Sequence, residues 1–339
     1  QAEDGIRDLV RSRGLGDVYK RQVYNQEGWN LDLPSEIGDS VFADASLYTV
    51  TLQTPPEPVL VATGTDVAGA QSGGQADSVT FVSGPVREFF VILSTDFQVV
   101  SQDVGGTRVN SYYLPGHEAG GRRALEVAVD SLAIFNERFG TYPYTELDVV
   151  DAPMQYAAGV EFPGVILIAT YLYDDPESPT FEITVSHEVA HQWWYNVVGN
   201  DVFDEPWLDE ALTTYASSLY YEEIFGESMQ TSLQIHWQNR VQRLDEAARQ
   251  APITAPLSYF ESRAESGAYG GIVYSKGGLF FAALREEIGD RAFFEALQNY
   301  YAAFQFDIAD GESLLEAFET AAGRELDAFY DRWLYGEPD

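Results

Sequence analysis

The sequence predicts an α+β fold, in which an antiparallel β segment precedes a region that begins as α/β and ends as helix. Three observations predict it. From Val23 to about Leu114, short β-branched or aromatic runs are punctuated by Gly, Pro and Asp. After Pro115 and Gly116 the hydrophobic period becomes that of a helix. Two extended segments then follow, and from there to the C-terminus the pattern is helical.

The strands expected in the first part are Ser46–Thr54, Pro58–Gly64, Ser78–Gly84 and Glu88–Thr95, with Gly69–Asp77 as a hairpin loop. The segment Arg122–Gly140 carries Leu125, Val129, Leu132 and Phe135 on one helical face and is closed by Gly140. Leu147–Pro153 and Gly164–Thr170 are the extended pair. Helices are expected through the histidine motif, through Leu208–Gly226 and on to the C-terminus. No internal repeat and no low-complexity segment interrupts the chain.

Residues 1–22 stand apart: they hold five of the nineteen Lys and Arg residues, leaving fourteen for the remaining 317. Their string resembles translated sequencing-adapter read-through, and they are read as a non-native extension outside the fold. The expected organisation is therefore a 1–22 extension, a 23–114 β domain and a 115–339 second domain that begins as α/β and turns helical.

Composition removes several functions. A formal charge of −35, from 54 Asp and Glu against 19 Lys and Arg, argues against nucleic acid, whose phosphates need clustered cations. It also disfavours an anionic membrane surface. The absence of cysteine excludes a thiol nucleophile, a disulfide framework and a Cys-ligated metal. No run approaches the ~20 apolar residues of a membrane span. Compartment is left open, a bacterial envelope or secreted protein being compatible with this composition; so is oligomeric state.

The chain has four histidines, and two of them are four apart in TVSHEVAHQWWYN (Thr184–Asn196). His187, Glu188 and His191 spell H-E-x-x-H. On a helix, positions i and i+4 share a face, so both imidazoles can reach one ion, while Glu188 can meet a metal-activated water. Glu210 follows His191 after eighteen intervening residues. Two histidines and one glutamate are a standard catalytic zinc set, with one position left open. Zinc suits two imidazoles and a carboxylate, and no redox ligand accompanies them. His117, in a Gly-rich turn, and His236, in a polar helix, are read as surface residues. Neither a phosphate-binding P-loop nor a G-x-S-x-G serine motif is present.

With these residues the chain resembles the zinc aminopeptidases of the aminopeptidase N and leukotriene hydrolase family. AAGVEFPG (Ala157–Gly164) is similar to that family's amine-recognition strand, and VYSKGGLFFAALREEIG (Val273–Gly289) to the segment with its catalytic tyrosine. The resemblance spans residues 23–339. It implies a thermolysin-like catalytic domain after only the latter part of the family's β domain, without the helical C-terminal domain of larger members. It implies one zinc per chain on His187, His191 and Glu210, with Glu188 as general base. Tyr274 is implied as the donor to the oxyanion, Glu161 as the partner of the substrate's α-amine, and Gly159 as a substrate contact on the same strand. Val160 and Phe162 depart from the family's Met and Asn. The partners implied are peptides with a free N-terminus; an endopeptidase or epoxide hydrolase on the same zinc site is the alternative.

Overall fold

Parallel pairing of two strands requires a long crossover, and the helix expected after Pro115 supplies it. The computed structural model describes residues 23–335, apart from 26–27, 31–34, 36, 40, 56, 68–77 and 262–266. The extension over 1–22 and the hairpin loop over 69–77 lie outside the described residues. The first strands, β1 (Tyr24–Asn25) and β2 (Gly28–Trp29), form a small antiparallel ribbon. β3 (Ser46–Gln53) and β5 (Thr65–Asp66) flank β6 (Ser78–Val86), while β4 (Val59–Ala62) pairs with β7 (Val91–Ser94), all antiparallel. The four expected strands are thus present, with no end more than three residues from its expected place.

β8 (Gln98–Val104), β9 (Thr107–Tyr113), β10 (Glu146–Ala152), β11 (Gly159–Phe162) and β12 (Val165–Ala169) make one sheet in the order β11-β12-β10-β9-β8. β9, β10 and β12 run parallel, and the outer two strands are antiparallel to their neighbours. Helix α1 (Glu118–Arg138) is the crossover from β9 to β10. It starts four residues earlier than the sequence suggests, and it buries Leu125, Val129, Leu132 and Phe135 as its period requires. β12 is buried at every position, which is why it reads as the unbroken apolar run VILIA rather than an alternation.

The described residues form two compact units, one within 43–136 and 141–192, the other within 19–42, 137–140 and 193–339. This division differs from the 23–114 and 115–339 that the sequence suggests. β8 and β9 come before residue 115 yet share a sheet with strands that come after it, so α1 bridges a sheet rather than linking domains.

In the first unit, α2 (Pro179–Ala190) carries the histidine motif. Ser178 caps it, its hydroxyl accepting from the Phe181 N–H at 3.3 Å, and Pro179 stands at the first helical position. The helix ends with the motif: His191 is the C-cap residue, and its N–H still reaches the His187 carbonyl at 3.2 Å.

The second unit is helical: α3 (Trp207–Phe225), α4 (Glu227–Gln242), the short α5 (Glu246–Arg249) and α6 (Leu257–Glu261), then α7 (Gly277–Ile288), α8 (Asp290–Phe304), α9 (Gly311–Ala322) and α10 (Asp327–Tyr330). Its core is aromatic. Trp207 stacks on Phe281 with ring centroids 6.3 Å apart, and Tyr195, Phe203, Val202, Phe42 and Leu257 form a second cluster. Among the described residues no helix is long and apolar enough to cross a membrane.

The cap at Ser178 gives a test of how far α2 depends on local chemistry. Ser178→Ala should lower unfolding free energy by ~0.5–2 kcal/mol, whereas Ser178→Gly should cost only a few tenths. Denaturant midpoints of the two variants measure this, and equal losses would show that the hydroxyl is not the stabilising group.

Candidate metal centre and active site

The last turn of α2 brings two imidazoles together. His187 Nε2 and His191 Nε2 are 3.2 Å apart, and the rings are nearly perpendicular at 82° with centroids 4.8 Å apart. Two nitrogens on a tetrahedral zinc, each at ~2.0–2.1 Å, are about 3.3 Å apart. The pair is therefore set at the separation such an ion requires, and the donor set fits it.

Glu188 lies between the histidines in sequence and is buried. Donor atoms of Glu161, Glu188 and His191 all lie within 4.8 Å of one another, so β11 delivers Glu161 to the histidine helix. Two carboxylates gathered this closely, both largely out of water, make a place that favours a cation. Gly159 is the reason the approach is possible. A Cβ at that position would stand 2.2 Å from Glu188 Oε1 and 2.5 Å from its Cδ. Gly159, read from the sequence as a substrate contact, thus clears space for the Glu188 side chain beside the strand.

Glu210 and Tyr274 meet in the second unit. Glu210 is in the first turn of α3, where the helix dipole favours a carboxylate, and it is buried. The Tyr274 hydroxyl donates to Glu210 Oε1. Tyr274 sits in a π-helical turn, Gly270–Lys276, that leads into α7; such turns recur at functional sites because they re-aim a side chain. The glycines after Tyr274 explain the contact. A Cβ on Gly277 would be 2.4 Å from the Ala211 Cβ, so α7 packs directly on the helix turn that bears Glu210.

Charge and burial act together here. Burial pushes the Tyr274 hydroxyl well above its ordinary range, and the Glu210 carboxylate pushes it further. The phenol therefore stays protonated at neutral pH and is a donor. Asp209, next to Glu210, is raised by burial and by the charges of Asp39 and Glu210, against the Asn200 amide that donates to it at 3.0 Å.

Two features escaped the sequence. His117, expected at the surface, is held on a buried carboxylate: its Nδ1 lies 2.7 Å from Asp151 Oδ2. Asp151 also accepts from the Leu114 N–H and from Thr170 Oγ1. The ring stacks on Tyr173 with centroids 5.6 Å apart. Nothing in a Gly-rich turn announces a partner 34 residues away. Gln192 is the other, a fully buried amide directly after the motif; a polar residue followed by two tryptophans was the available signal.

Residues 123–333 match the model of the peptidase family M1 domain. Aminopeptidase M1-A of Oryza sativa subsp. japonica is 27% identical over 299 residues, covering 85% of this chain and 34% of the relative. Aminopeptidase 2 of Candida albicans is 25% identical over 311 residues, covering 86% and 32%. The chain thus spans about a third of the length of these relatives. The M1 zinc metallopeptidase of Deinococcus radiodurans has the same fold, with a TM-score of 0.70 at 22% identity, over 87% of this chain and 66% of that one. With the family domain covering well over half of its residues, the chain belongs to peptidase family M1.

Proposed function

We propose that the protein is a zinc-dependent aminopeptidase that removes N-terminal residues from peptides. The observation that carries this reading is Glu161: its carboxylate is gathered with Glu188 and His191 on the strand beside the histidine helix, where an ammonium would be drawn. Zinc would be held by His187, His191 and Glu210. When bound, it supplies Lewis acidity that polarises a carbonyl and makes water acidic near neutral pH.

The chain's own residues supply the rest. Glu161 accepts hydrogen bonds from the substrate's α-ammonium, which limits the reaction to the first peptide bond. Glu188 removes a proton from the attacking water and passes it to the departing amine. The Tyr274 hydroxyl, kept protonated by burial, donates to the oxygen that becomes negative in the transition state; to do so it must exchange its bond to Glu210 for one to substrate. That the relatives carry aminopeptidase names, and that the Deinococcus protein is a zinc metallopeptidase, supports the reading.

Removal of metal by a chelator should abolish hydrolysis of aminoacyl-fluorogenic substrates, and added zinc should restore it. Glu188→Gln should retain about one zinc per chain yet lose ~10²–10⁴ in kcat, while His191→Ala should lose the metal as well. Metal content measured beside turnover separates the two roles, and near wild-type turnover in Glu188→Gln would remove it as the base.

Tyr274→Phe deletes a donor used in the transition state. It should lower kcat by ~10²–10³ with KM little changed, as steady-state kinetics would read out. A variant within twofold of wild type would return Tyr274 to a packing role.

Glu161→Gln should lower kcat/KM for free-amine substrates by ~10–150-fold, the equivalent of a charge-assisted contact of ~1.5–3 kcal/mol. N-acetylated peptides should be poor substrates and insensitive to the change. Equal cleavage of free and acetylated peptides by the wild type would instead indicate an endopeptidase on the same zinc site.

A further inference from the structure

Gln192 directly follows His191, and its side chain is wholly buried. The amide reaches the turn between β11 and β12. Its Nε2 donates to the Phe162 carbonyl at 3.1 Å, and its Oε1 accepts from the Gly164 N–H at 2.8 Å. The Tyr142 hydroxyl lies 3.4 Å from the same oxygen. A side-chain amide can do this because it presents a donor and an acceptor in one plane, as a peptide group does. Pro163, between the two bonded residues, has no N–H with which to compete.

The consequence comes from what stands next to each bonded group. Phe162 follows Glu161, and Gln192 follows His191. β11 is the outermost strand of its sheet, so among the described residues only β12 holds it by a backbone ladder, and the position of such a strand is weakly fixed on its open side. The two amide bonds add the missing constraint, joining the strand that carries Glu161 to the end of the helix that carries the histidines.

We propose that Gln192 is a positioning residue that fixes Glu161 relative to His191 and so sets how tightly the substrate's ammonium is held. This rests on the reading of Glu161 as the amine-binding carboxylate. Without the amide, the Phe162 carbonyl and the Gly164 N–H each lose this bond, and the turn moves to regain it from water. Glu161 then meets the ammonium poorly in ground state and transition state alike. Such a uniform loss raises KM and leaves kcat nearly unchanged. A purely structural defect does the reverse: fewer folded molecules lower apparent kcat and zinc content, while KM stays constant.

The test is steady-state kinetics and zinc content for Gln192→Met, Gln192→Glu, Glu161→Gln and the double variant Glu161→Gln with Gln192→Met. Gln192→Met keeps the length and removes both bonds; Gln192→Glu keeps the acceptor but sets a carboxylate oxygen against the Phe162 carbonyl. Each should raise KM for a free-amine substrate on the order of tenfold, from two neutral hydrogen bonds, with kcat within about twofold and zinc unchanged. On the Glu161→Gln background, Gln192→Met should change kcat/KM by less than about twofold, because the group it positions is gone. Unchanged KM in both single variants, or a full multiplicative loss in the double variant, overturns the inference. Should Gln192→Met fail to fold, Gln192→Glu carries the same KM readout. Wild-type protein that cleaves free and acetylated peptides equally overturns the reading of Glu161 and this inference together. Discrimination by the wild type, with KM unmoved in the Gln192 variants, overturns the positioning role alone.

Discussion

Two imidazole nitrogens held 3.2 Å apart at the end of one helix are the constraint around which the first unit is arranged. Such a pair is unfavourable without a proton or a cation between the rings, so the helix must be stiff enough to keep them facing. Ser178 and Pro179 fix its start, and the backbone bond from His191 to His187 fixes its last turn. With both histidines and Glu188 committed to one turn, everything else must come to that turn. β11 does so only because Gly159 has no side chain where Glu188 lies. A motif of five residues therefore makes a demand on a residue 29 positions earlier, through sterics alone.

The motif itself was fully legible in the sequence, because its chemistry is local: the i, i+4 spacing guarantees a shared face whatever surrounds it. The early strands and α1 were legible for the same reason, since their periodicity is written into consecutive residues. What could not be read were features set by partners distant in sequence. β8 and β9 have the composition of the strands before them, so nothing local reveals that they join β10 and β12 in another sheet. His117 has the neighbours of a turn residue, and only the fold brings Asp151 beneath it. The helix through the motif stops at Ala190, and Gln192 turns its amide to the β11–β12 turn. The close approach of α7 to α3 was likewise hidden, because Gly277 reads as a flexible loop residue until Ala211 is opposite it.

An acidic chain with few cations must bury some carboxylates without ion pairs. Asp148 shows how. It is fully enclosed in the sheet and raised well above the usual carboxylate range by burial and by Glu146. The Asn110 amide donates to both, at 2.8 Å to Asp148 and 3.0 Å to Glu146. Two arginines serve helix packing instead: Arg123 on Glu182, and Arg285 on Glu222 and Asp290. Amides satisfy the buried acceptors at Asp148 and Asp209, and these guanidinium groups join helices.

That division of labour matters for the chemistry. A guanidinium at Gln192 or Asn200 could satisfy the same acceptors more strongly. It would also place a full positive charge beside Glu161 and Glu210, the carboxylates proposed to meet the ammonium and the metal ion. The neutral amides hold Phe162 and Gly164 in the first unit, and Asp209 in the second, and leave the neighbouring carboxylates' field intact. On this argument the scarcity of basic residues is not merely a surface property. It extends inward to Gln192 and Asn200, whose neutral amides bond the turn that follows Glu161 and the Asp209 carboxylate next to Glu210; under the proposed function, a charged donor there would weaken the attraction for the ammonium and the metal ion.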